Sequence, residues 1–234
     1  MKKSNILLFV LLATVMLSSQ AYSQTKQEKK MKTKYMEAGM YNSSESKEAV
    51  AFFEKGTVSG NNGDYKAAVK WYKKAIEEDP NFVEAYDNLG AAYRKMGDLE
   101  NAKKNYNKSI ELYPQGNMAH QNLGLVYWIE KDYTKALEQY SIMQKNDSTD
   151  AEGYYGTIQI FFALKDYKSA VKNASKTLEI YEATNSPYLG DAQFLLGLSY
   201  YYDNDNKNAK IYLEQAKKSG AQIPAAIQTN LGMK

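Results

Sequence analysis

The sequence predicts an all-α protein, a solenoid of five helix-turn-helix hairpins closed by a short C-terminal helix, and three observations carry that prediction. From residue 49 the chain matches itself at a shift of 34, with repeat starts at Ala49, Val83, Asn117 and Ala151 and a fifth at Gly190. A Leu-Gly pair recurs with an aromatic residue three positions on, as Leu89-Gly90 with Tyr93, Leu123-Gly124 with Tyr127, and Leu196-Gly197 with Tyr200. Aspartate recurs at one register as Asp64, Asp98, Asp132, Asp166 and Asp205, each just after a break at Gly63, Gly97, Lys131, Lys165 or Asn204.

The N-terminal element is read as a secretory signal. Lys2 and Lys3 precede an apolar run from Ile6 to Leu17, followed by Ser18-Ser19-Gln20 and then Ala21-Tyr22-Ser23, which places small residues at −3 and −1 of a cut after Ser23. As a retained anchor the run would be short, since twelve helical residues reach about 18 Å against a hydrocarbon core of roughly 30 Å. Without cysteine the chain has no disulfide framework, no thiolate metal site and no residue on which to build a lipoprotein anchor. The expected mature protein is therefore periplasmic or secreted, with no integral span after cleavage. Removing Lys2 and Lys3 from 30 Lys+Arg leaves 28 against 27 Asp+Glu, a balance with no electrostatic case for nucleic acid. Residues 24–48, rich in Lys, Ser and Gln and without a periodic core, are read as a polar tether leading into the first helix.

The hairpins follow as residues 49–82, 83–116, 117–150, 151–184 and 190–223. Glycine inside a helix costs about 1 kcal/mol relative to alanine, so its recurrence points to a facing helix that comes too close for a Cβ. Alanine recurs at Ala68, Ala102, Ala136, Ala170 and Ala209, small holes for a neighbour's large side chain. The five aspartates are read as N-caps of the second helices, accepting from free N–H groups where the helix dipole favours negative charge. Pro80 and Pro114 close two units, and Asn81 with Glu84 is read as a capping pair for the helix that follows. Ser186-Pro187 predicts that the fifth hairpin begins early, with a lengthened first helix. Residues 224–234, with a helix over Pro224 to Leu231, are expected to cover the last apolar face.

The run Tyr86, Leu89, Gly90, Tyr93, Ala102, Tyr106 and Pro114 resembles the tetratricopeptide repeat signature, and the resemblance extends over residues 49–223. It implies a right-handed superhelix whose first helices line a concave groove that binds protein or peptide. The first repeat departs at Lys55 and Ser59, as a solvated terminal face would. The fourth departs at Ile158 and Ala174, where glycine and an aromatic stand elsewhere, which bears on its packing angle; a local change of superhelix curvature is expected at the extra residues that follow it, around Ser186-Pro187.

Chemistry is sparse. His120 holds the register of Phe52, Tyr86 and Tyr154 and reads as a packing residue; with one histidine and no cysteine a His-based metal site is excluded by number. Glu77-Glu78-Asp79 reads as solvation of a helix end, and no phosphate loop, Ser-His-Asp set or nucleophile elbow is present. No catalytic, cofactor or metal residue is assigned, and the chain is not expected to be an enzyme. Lys66, Lys70, Lys73 and Lys74, and Lys168, Lys172 and Lys176, read as solvated outer faces.

What the resemblance implies for binding falls on a stripe of each first helix. It is polar at Glu84, Asp87, Ala91 and Arg94, then mixed at Met118, Gln121, Leu125 and Trp128, at Glu152, Tyr155, Gln159 and Phe162, and at Asp191, Phe194, Leu198 and Tyr201. The protein-binding residues expected from this pattern are Arg94, Gln121, Leu125, Trp128, Tyr155, Gln159, Phe162, Phe194 and Tyr201, because aromatic side chains dominate binding hot spots. A carboxylate clamp for chaperone tails needs Lys, Asn and Arg here, and Arg94 is the one clear cation. The sequence reading is an extracytoplasmic adaptor or assembly factor, peripheral to an envelope complex; the alternatives are an envelope holdase with many weak clients and a self-associating structural solenoid.

Overall fold

The computed structural model describes residues 44–233; the signal and nearly all of the tether lie outside the described residues. Among the described residues every regular element is an α-helix. In order these are α1 (Lys47–Asn61), α2 (Tyr65–Glu78), α3 (Val83–Lys95), α4 (Leu99–Leu112), α5 (Asn117–Ile129), α6 (Tyr133–Asn146), α7 (Ala151–Leu164), α8 (Tyr167–Ala183), α9 (Leu189–Tyr202), α10 (Asn206–Lys218) and α11 (Ala225–Leu231). None is long and apolar enough to cross a membrane. The described residues fall into two compact units that part between Asn146 and Asp147. The first holds α1–α6, the second α7–α11.

Each hairpin turn is built from the same two devices. The residue before the aspartate is left-handed, with φ of 79° at Gly63, 82° at Gly97, 62° at Lys131, 59° at Lys165 and 66° at Asn204. The aspartate that follows then accepts from a backbone N–H three residues on: Asp64 from Ala67, Asp98 from Asn101, Asp132 from Lys135, Asp166 from Ser169 and Asp205 from Asn208. Four of these carboxylates, Asp98, Asp132, Asp166 and Asp205, are held below the usual carboxylate range by hydrogen bonds from Asn101, Lys135, Ser169 and Asn208.

First helices start less uniformly. Ser46 caps α1 and Asp150 caps α7, but α3 begins after Phe82 with no side-chain cap. The Asn81–Glu84 capping pair does not form; instead the Asn81 N–H bonds the Asp79 carboxylate at 3.0 Å. That correction has a steric origin. Pro80 drives Asp79 into an extended conformation (φ −138°, ψ 95°), which commits the chain to a turn before α3 can start.

A second correction concerns the extra residues after the fourth hairpin. They do not lengthen α9, which has 14 residues; they follow an α8 lengthened to 17. Glu182 stands where the first two repeats carry Pro80 and Pro114, so nothing stops α8 until Thr184 and the left-handed Asn185. Ser186 Oγ accepts from the Tyr188 N–H and shapes the turn instead of capping α9.

In the first unit, tyrosines of the second helices lie on glycines of the first. A Cβ added at Gly90 would stand 2.6 Å from the Tyr106 ring, and one at Gly56 2.5 Å from that of Tyr72. Ala68, Ala102 and Ala136 are fully buried, as the small-hole reading requires. Ala68, Tyr72, Leu89 and Ala92 form one core cluster and Ala102, Tyr106, Leu123 and Val126 the next, so each is assembled from consecutive hairpins.

The second unit has one continuous core running from Ala151 to Leu231. Its fourth-repeat departure is a matched exchange: Ile158 fills the glycine register, Ala174 vacates the aromatic one, and both are fully buried. The short α11 sets Ile227 and Leu231 into this core, held by Asn230 Nδ2 donating to Tyr201 Oη at 2.8 Å and Lys217 Nζ donating to Gln228 Oε1 at 2.8 Å. It covers the apolar end of the unit, as expected of a capping helix.

Candidate functional site

Within the first unit, α3 and α5 touch, and Arg94 and Trp128 hold the same register one repeat apart. Both side chains are half-buried, yet the Arg94 Nε and Trp128 Nε1 N–H groups are themselves buried and close no hydrogen bond. A buried donor left in this state costs about 1–3 kcal/mol. Gln121 and Leu125, on the same helix as Trp128, are also half-buried.

The hairpin that carries Arg94 also holds a buried polar group. Asp87 is 3 % exposed, and burial pushes its carboxyl up to about 7; the Ser109 hydroxyl bonded to it works against that rise, and nearby Glu84 adds to it. Its Oδ1 is left without a partner. Tyr106 is fully buried, and burial pushes its hydroxyl up to about 12 against the opposing pull of the Arg94 guanidinium. The second hairpin thus holds a buried carboxyl that exchanges its proton near neutral pH, and both Asp87 and Arg94 act on the buried Tyr106 hydroxyl.

Neither Asp87, on the polar stripe of α3, nor Ser109, on α4, was among the expected binding residues. A signal was present in the repeat itself. One period earlier the same registers hold Phe53 and Ala75, which pack in one apolar cluster, so Asp87 and Ser109 are a coupled polar replacement of a core pair.

In the second unit Tyr155 is half-buried, but four expected binding residues are corrected to buried ones: Gln159 at 7 % exposure, Phe162 at 5 %, Phe194 at 4 % and Tyr201 at 4 %. Phe162 meets Tyr167 and Tyr202 edge-on, at 5.8 Å between ring centroids in each case. Phe194 belongs to the unit's core, and Tyr201 packs edge-on against Tyr202 at 5.3 Å while its hydroxyl takes the bond from α11. These rings join repeats to one another, since each repeat must bury its apolar face on a neighbour. His120 is buried in the first unit, with Nδ1 2.8 Å from Gln139 Oε1 and Nε2 3.1 Å from Pro114 O, a packing residue with both ring nitrogens engaged.

Comparisons with known proteins agree with this architecture. Residues 61–97 match a model described as TPR repeat, and residues 83–115 and 191–219 match models described as tetratricopeptide repeat. The chain therefore carries tetratricopeptide repeats. Among solved structures it is similar to a MamA protein, at 22 % identity with a TM-score of 0.62 over 75 % of this chain and 98 % of the other. It is likewise similar to MamA of Desulfovibrio magneticus RS-1, at 19 % identity and a TM-score of 0.64 over 76 % and 97 % of the two chains. A third similar structure is pilF of Pseudomonas aeruginosa, at 15 % identity and a TM-score of 0.68 over 79 % and 85 %. At these identities the likeness is one of fold: an all-helical tetratricopeptide solenoid, the class to which protein–protein interaction and scaffold roles belong. No curated protein matches the sequence.

Proposed function

We propose that the chain is an extracytoplasmic adaptor or assembly factor that grips a polypeptide segment along α3 and α5 and catalyses no reaction. The observation that carries the reading is the pair of buried, unbonded donors at the same register of two adjacent first helices, Arg94 Nε and Trp128 Nε1. An extended segment offers main-chain carbonyls for both donors, an amide or cationic group for Asp87, and apolar side chains for Leu125 and the Trp128 ring. Export rests on Lys2, Lys3 and the Ile6–Leu17 run. A holdase with many clients needs a broad accessible aromatic surface, and the burial of Phe162, Phe194 and Tyr201 takes three of the expected rings out of it.

Crosslinked affinity capture from envelope extract tests the proposal. The expected result is one dominant protein, recovered near stoichiometry and lost from an Arg94→Ala/Trp128→Ala variant that keeps its helical circular dichroism. Recovery of many substoichiometric clients, retained by the variant, would reject it.

A further inference from the structure

Outside the groove the first hairpin carries a second cluster. Phe52 of α1 and Trp71 of α2 stack with ring centroids 5.9 Å apart and planes 15° from parallel. Three ammonium groups gather over this pair. Lys55 Nζ lies 5.0 Å from the Trp71 centroid and 5.5 Å from that of Phe52. Lys74 Nζ lies 5.3 Å from each ring, and Lys70 Nζ lies 5.7 Å from Trp71.

The same register elsewhere behaves differently. Lys74 and Glu77 repeat as Lys108 with Glu111 and as Lys176 with Glu179, always three residues apart on a second helix. The later two pairs close ion pairs, at 2.9 Å and 2.7 Å. In the first hairpin Lys74 turns to the rings, and none of Lys55, Lys70 and Lys74 pairs with a carboxylate among the described residues. Ring quadrupoles attract each cation but do not cancel the repulsion among three of them. A ligand with several closely spaced negative charges does.

We propose that the Phe52–Trp71 face of the first hairpin is a docking surface for an acidic, Asp/Glu-rich polypeptide segment, gripped by Lys55, Lys70 and Lys74. Charge complementarity identifies the occupant. The rings are half-buried, stacked on each other and roofed by lysines, so they are not free to insert among acyl chains or to stack on bases, which argues for carboxylates over a bilayer or a nucleic acid. The surface is separate from the groove donors Arg94 and Trp128, so either site can be disabled alone.

The chain has two tryptophans, so a Trp128→Phe background leaves Trp71 as the sole indole reporter. Titration with an eight-residue oligoglutamate should give a saturable change in Trp71 emission. Affinity should fall at least tenfold between low and physiological salt, and at least tenfold again in a Lys55→Gln/Lys70→Gln/Lys74→Gln variant. A single Lys70→Gln change, which leaves Lys55 and Lys74 in place, should weaken binding in the same direction if the triple variant fails to fold, while Lys66→Gln should leave it unchanged. Absence of a saturable change, equal binding by the Lys70→Gln variant, or a tighter response to phosphatidylglycerol vesicles than to the peptide would overturn the proposal.

Discussion

Asp87 is a buried carboxyl that desolvation holds far above its usual range. Its folded value of about 7 lies above the usual 3.8, so the native state holds a proton there that the unfolded chain releases. Its contribution to stability is therefore full below about pH 4, declines by about 1.4 kcal/mol per pH unit as pH rises, and levels off above about pH 7. Asp87→Asn should gain up to about 3 kcal/mol relative to wild type between pH 5 and pH 8, read from urea midpoints at the two values. The Asp98, Asp132, Asp166 and Asp205 caps, whose values are lowered, lose their contribution only as pH falls below the carboxylate range, so they do not mask this window. A second residue-scale outcome concerns Gly90. Gly90→Ala forces a Cβ to within 2.6 Å of the Tyr106 ring and should cost about 1–3 kcal/mol. Combining Gly90→Ile with Tyr106→Ala copies the Ile158/Ala174 exchange and should cost less than the sum of the two single changes, with a coupling of at least about 1 kcal/mol in a double-mutant cycle.

At the scale of elements, the turns show where sequence reading succeeded. The five aspartate caps and the breaks before them were legible because each depends on a few consecutive residues with fixed local geometry. What remained hidden was non-local or competitive: Pro80 suppressing the Asn81–Glu84 cap, and Glu182 allowing α8 to run on. Three of the five turns inside hairpins place a non-glycine residue in the left-handed region, at Lys131, Lys165 and Asn204. Lys165→Gly should relieve that strain and raise stability by about 0.5–1 kcal/mol, whereas Lys165→Val should lower it, both read by thermal unfolding.

At the scale of the whole molecule, periodicity gave the class of fold but not which positions of the stripe stay accessible. The stripe of positions facing a groove follows from the repeat, while the side chains that cover a given position come from other helices. Tyr202 covers Phe162 from forty residues away and Asn230 of α11 bonds Tyr201 from twenty-nine residues away, so a local pattern does not announce these contacts. The capping role of α11 makes its own prediction. Removing residues 224–234 strips Ile227 and Leu231 from the core of the second unit and should cost about 3 kcal/mol or more, a fall of roughly 6–12 °C in melting temperature. An unchanged melting temperature would show that the helix covers nothing that matters.

The most direct test of groove binding is a titration of the captured partner against wild-type protein and Trp128→Phe, a change that keeps an aromatic ring and deletes the buried, unbonded N–H. Affinity about tenfold weaker with an unchanged fold is the predicted result, corresponding to roughly 1.4 kcal/mol for one recovered hydrogen bond. Equal affinity in the two proteins would contradict the account.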